Sequence, residues 1–264
     1  MFSLSPFHKK FLLISLLAAP LLPASADTGT IAQSEAATEK TVRLPGIEIH
    51  PVERMVDVDA QVSLTAGLLE LIACTEGTKE HEAIVRINAL PIHVHTALLL
   101  IGARHGTPAM RQPINEEQTR WRHVRPNGDP IQVSLVVEDA EGKAVERPIS
   151  DFIKYTEGDP DMPNTYSQHP VSDEERQSFP HVFLFTGSHL IDDRDGNKQY
   201  LADQSGHVIT ISTFGDELLG LSDIQSANNG ELVWEVDSTH LPPLDSKVKL
   251  RLRPATAEAT GREG

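Results

Sequence analysis

The chain has 264 residues and a single cysteine, Cys74, so no disulfide can form within it. A lone thiol in an oxidising compartment is buried, metal-bound, paired with another chain or reactive. Aromatic residues make up only 5% of the chain, with two Trp and three Tyr. Positive charge is also scarce, at 23 Lys and Arg against 38 Asp and Glu, a formal net charge of −15. A chain this acidic repels nucleic acid and anionic lipid. Neither a P-loop nor a dinucleotide-binding glycine pattern is present, and G-x-S-x-G is absent around Ser188. No apolar run after residue 26 approaches the roughly 20 residues needed to cross a bilayer.

What is present begins with a leader. Lys9 and Lys10 precede a short apolar stretch at 11–22, and Ala24-Ser25-Ala26 supplies the small residues of a cleavage site. This order predicts a signal peptide over 1–26, an exported protein in the periplasm or medium, and no transmembrane segment after the leader. Residues 27–41 lack apolar periodicity and read as a flexible linker, and 254–264 read as a disordered tail. The foldable part is then 42–253, interrupted by a polar, proline-bearing insertion at 156–179.

Within 42–253 the β signals dominate. Val56, Val58, Ala60, Val62 and Leu64 alternate, 131–138 is strongly strand-like, and Asp195-Gly196-Asn197 suits a hairpin turn. The run over 91–104 is the best helix: Pro91 is tolerable in a first turn, and Gly106 and Pro108 stop it. It is apolar almost all round and is expected to be buried. The resulting expectation is an α+β domain, a mostly antiparallel sheet with one buried helix and few others.

Chemistry concentrates in Cys74-Thr-Glu-Gly-Thr-Lys79-Glu-His81-Glu82, followed by His93-Val-His95. If 68–74 and 83–87 pair as a hairpin, Cys74 and His81 share one end of it. His95 would then join them near the helix start. The helix's positive end favours thiolate and neutral imidazole, the states that bind metal. Cys74, His81 and His95 are therefore candidate metal ligands, with Glu82 and Lys79 around them and zinc the fitting ion for mixed sulfur and nitrogen donors. The spacing matches no known finger or ribbon. The leading reading is a binding or accessory module that holds a divalent metal at this cluster, and two others stay open: a thiol enzyme or redox protein using Cys74 with a nearby histidine, and a structural or interaction protein in which these residues only pack. No residues suggest a particular substrate or partner. Arg120, Trp121, Arg122, His123 and Arg125 read as a surface loop rather than a nucleic-acid site.

At several of these residues the chain resembles the YdjY-like family of exported bacterial proteins. The resemblance runs through Ala73-Cys74, Gly77-Thr-Lys79-Glu-His81-Glu82 and His95-Thr-Ala-Leu-Leu-Leu-Ile-Gly102. It continues through Phe185-Thr-Gly187-Ser188, Tyr200-Leu-Ala-Asp203, Asn228 and Leu241-Pro-Pro243. It implies a domain whose function is unassigned. A ferredoxin-like label carried by some relatives does not suit this chain, because an iron–sulfur cluster generally takes four cysteines and one is present.

Overall fold

The computed structural model describes residues 41–139, 141–156, 179–228 and 232–255. The leader 1–26, most of the linker, nearly all of the insertion and most of the tail lie outside these residues. The architecture is mostly β and closed, which corrects the expected α+β sheet.

Eight strands form the ring. In chain order they are β1 (Met55–Val62), β2 (Leu71–Thr75), β3 (Ala83–Ile87), β4 (Pro130–Glu138), β5 (Val182–Phe185), β6 (His207–Thr210), β7 (Leu219–Gly220) and β8 (Lys247–Pro254). Around the barrel the order is β1, β8, β4, β5, β7, β6, β2, β3 and back to β1. Closure removes free edges, because every ring strand has a neighbour on both sides. Outside the ring, strand Ile47–His50 extends β1, and Ala144–Pro148 extends β4.

The alternation in the sequence explains which face is inside. Val56, Val58, Ala60 and Val62 of β1 are buried, as are Ile131, Val133, Leu135 and Val137 of β4 and Val248, Leu250 and Leu252 of β8. Phe183 and Phe185 of β5 join the same apolar core. The opposite face of β1 and β8 carries charge. Arg251 makes a two-pronged ion pair with Asp57, both contacts at 2.6 Å, and a third with Glu146 at 2.8 Å. Asp57 is the register partner of Arg251, so the pair is fixed by the ladder itself.

Two local expectations change. Segments 68–74 and 83–87 do not form a hairpin: β2 and β3 run parallel, Leu71 opposite Ala83 and Thr75 opposite Ile87. A turn and one 3₁₀ turn, Glu80–Glu82, carry the chain back so that the second strand starts beside the first. The helix α1 spans Pro91–Leu100 rather than 91–104. It buries Val94, His95, Ala97 and Leu98 but leaves Leu99 and Leu100 exposed, so it is not enclosed all round. A second helix, α2 (Leu201–Ser205), follows a hairpin turn in which Asp193 accepts N–H bonds from Asp195 and Asn197. Among the described residues no helix is long and apolar enough to cross a membrane.

Candidate functional site

Cys74 lies in β2, a strand buried at every position, and is itself fully buried. Barrel closure sets β6 antiparallel beside it, with His207 directly opposite Cys74. Directly opposed residues of an antiparallel pair carry their side chains on the same face, with Cβ atoms about 4.5–5.5 Å apart. The register slips just after this pair, between His207 and Ile209. Bulges of this kind turn one side chain out of the ladder's regular alternation.

The loop between β6 and β7 completes the cluster. Asp216 Oδ1 lies 2.5 Å from His207 Nδ1. A carboxylate there accepts a hydrogen bond from Nδ1–H, which puts the lone pair of the neutral ring on Nε2. That Nε2 is buried and has no hydrogen-bond partner among the described residues. Burial alone would raise the Asp216 carboxyl, but its hydrogen bond with His207 holds it below the usual carboxylate range. Phe214 covers the group. Its ring stacks on His207 at 4.1 Å between centres and packs against Leu71, Cys74 and Ala83.

Why the loop sits there is visible in the motif 186–189. Thr186 donates to Glu217 O at 2.7 Å, Ser188 to Asp216 O at 2.5 Å, and His189 Nε2 to Gly215 O at 3.0 Å. Three consecutive carbonyls of the loop are thus held by side chains of one short segment. Within the loop, Glu217 Oε2 accepts N–H bonds from Phe214, Gly215 and Asp216. Burial pushes the Glu217 carboxyl up despite those donors.

The turn after Cys74 closes the other side. Lys79 Nζ stands 4.9 Å from the Phe214 ring centre and pairs with Glu82 at 2.7 Å and Glu70 at 3.5 Å. Burial, then the Glu82 charge, raise the Glu70 carboxyl. Gly206 makes the contact with this turn possible. A Cβ there would lie 2.3 Å from Thr78 Oγ1, and its φ is +80°. Burial raises the Cys74 thiol above its ordinary value, although the Lys79 backbone and the Thr78 hydroxyl oppose the shift. With Phe214 packed on its cluster, the Cys74 side chain is fully buried.

The candidates from the sequence separate. His81 projects into solvent, its side chain 77% exposed. His95 sits on α1 in a different cluster, with Tyr200, Phe185 and His105 around it. Burial, and then the proximity of His105, push its pKa down to about 4. Lys79 and Glu82 remain beside the thiol's cover. Among the described residues no three His, Cys, Asp or Glu side chains gather as a metal site. Sequence reading missed His207 and Asp216. Both come from the other half of the chain, and only the β2–β6 pairing brings them to Cys74. The one available signal was a histidine opening a β run after Gly206, which is not specific.

No curated protein and no solved structure matches the chain. A family model, the YdjY domain, matches residues 47–253. That span holds β1 through nearly all of β8, together with Cys74, His207, Asp216 and the 186–189 segment that clamps their loop, and the chain belongs to the YdjY domain family.

Proposed function

We propose that this protein is a thiol-dependent acyl-transfer or hydrolytic enzyme of the exported compartment. Cys74 is the nucleophile, His207 the base and Asp216 the group that orients the imidazole. The observation that carries the reading is the buried Nε2 of His207, which has no hydrogen-bond partner among the described residues. It lies on a ring anchored through Nδ1 by Asp216, in the register position facing the only cysteine. A nucleophile beside a base that is itself held by a third group is the general arrangement for covalent catalysis. In the first step the Cys74 S–H proton passes to Nε2 while Sγ bonds to a carbonyl carbon. The proton then goes from His207 to the departing oxygen or nitrogen. Water repeats the exchange and frees the thiol. Access requires Phe214 to swing away, and Gly215 beside it has a positive φ of +86°. The leader over 1–26 supports placing this chemistry outside the cytoplasm. A metal held jointly by Cys74, His81 and His95 has no support from the geometry, since these side chains lie in different surroundings.

The test is alkylation of Cys74 by iodoacetamide in folded protein, followed by mass across pH 6–8. Wild type is expected to label slowly. Phe214→Ala is expected to label at least about tenfold faster, because it uncovers the sulfur. Adding His207→Asn to Phe214→Ala should remove most of that gain at pH 6–7, where an ordinary thiol is protonated. Equal rates with and without His207 throughout this range would mean that the cluster only packs.

A further inference from the structure

We infer that His95 and His105 form a two-imidazole site for a divalent cation of the copper and zinc class, separate from the thiol cluster. The two rings stand 4.9 Å apart between centres, at 53°. Their hydrogen bonds fix which nitrogens carry protons. Tyr200 has one hydroxyl proton and gives it to Gly187 O at 2.8 Å. His95 Nδ1 lies 2.8 Å from the same hydroxyl oxygen, so Nδ1 must be the donor in that contact. The lone pair of His95 is therefore on Nε2. His105 Nδ1 points at Gly106 O at 3.0 Å, which makes it a donor as well and leaves its lone pair on Nε2. Two neighbouring imidazoles thus carry the lone pair on the same nitrogen, with no hydrogen bond to either Nε2 seen among the described residues. Each is oriented through its other nitrogen by an oxygen partner, as metal-ligating histidines commonly are.

The spacing fits a shared ion. A metal about 2.0–2.1 Å from each Nε2 lies about 3.2 Å from each ring centre, and two such rings at a ligand angle of about 100° stand about 5 Å apart. The His105 ring is seated by Gly187. A Cβ at that position would fall 2.7 Å from His105 Cβ and 2.8 Å from its Nδ1, and the φ there is +86°. One glycine therefore supplies the carbonyl that sets the His95 tautomer and the space that admits the His105 ring. His95 is nearly buried and His105 is exposed, so the ion would rest against the protein on one side and face solvent on the other. Two protein ligands leave further coordination positions for water or an external donor. Imidazole ligation favours copper, zinc and nickel over magnesium or calcium.

The experiment adds Cu²⁺ to the full chain, with one equivalent read by electron paramagnetic resonance and affinity by calorimetry, and repeats the calorimetry with Zn²⁺. Wild type is expected to show coupling to two equatorial imidazole nitrogens at the first equivalent. His105→Ala should lose one nitrogen and weaken both ions by at least about tenfold, since the second ligand no longer acts at high effective concentration. Gly187→Ala keeps both imidazoles but displaces the His105 ring, and should weaken binding as well. His81→Ala, at an exposed histidine, should change nothing. An unchanged first equivalent in His105→Ala, a loss in His81→Ala, or no binding in wild type would each overturn the site.

Discussion

Replacing Arg251 with methionine is expected to lower the free energy of unfolding by about 3–5 kcal/mol, the usual result of removing one partner from a buried ion pair. The reason is the position of Asp57. Its side chain is 8% exposed and receives both prongs of the guanidinium at 2.6 Å. Glu146, the third member, keeps Arg253 as a partner after the change. Asp57 has no other ion pair among the described residues, and Lys249 on the same strand is paired with Asp59 at 2.7 Å. The loss is therefore the cost of a stranded carboxylate, not the net worth of the pair. Replacing both members, Arg251→Met with Asp57→Leu, should restore most of the stability, since no buried charge is left behind. Chemical unfolding of the three variants measures both figures. A single variant within about 1 kcal/mol of wild type would show that Asp57 finds solvent or another partner.

Gly128→Ala is expected to destabilise by about 3 kcal/mol or more, as a sum of two penalties. Its φ is +145°, a region that L side chains rarely enter, and a Cβ there would lie 2.0 Å from Phe185 O. The obstacle is backbone at the end of β5, which cannot rotate away, so the strand must move. Gly196 is the control. Its φ is +82°, but a Cβ there meets nothing within 4 Å. Gly196→Ala should therefore cost only the conformational term, about 1–2 kcal/mol. Thermal melts of the pair separate strain from collision. Equal losses at the two positions would mean that Phe185 yields easily.

The strands were legible where one face meets the core. The alternation from Val56 to Val62 became β1, with those side chains inside, and the run at 131–138 became β4. Closure was not legible. It depends on partners far apart in sequence, and on two parallel pairings, β2 with β3 and β6 with β7, that period-two alternation does not distinguish from hairpins. The helix was found, but its burial was misjudged. Leu99 and Leu100 look like core residues and face outward, because only one side of α1 meets the barrel's apolar interior. Cys74 was legible as a centre of interest for its rarity alone. Its neighbours were sought nearby in the chain, at His81 and His95, whereas the ladder supplies His207 from across the seam. The motif Thr186-Gly-Ser188-His189 read as a failed nucleophile elbow. Its role is to grip three carbonyls of another loop, a task with no sequence signature.

Because the β2–β6 pairing and Phe214 enclose the sulfur in the folded barrel, the thiol changes character on folding. An unfolded chain carries an open thiol, available to oxidants and to stray mixed disulfides. Once the last strands dock, Phe214 shuts over it and that hazard ends. The rate of folding then sets how long the thiol stays open to such damage.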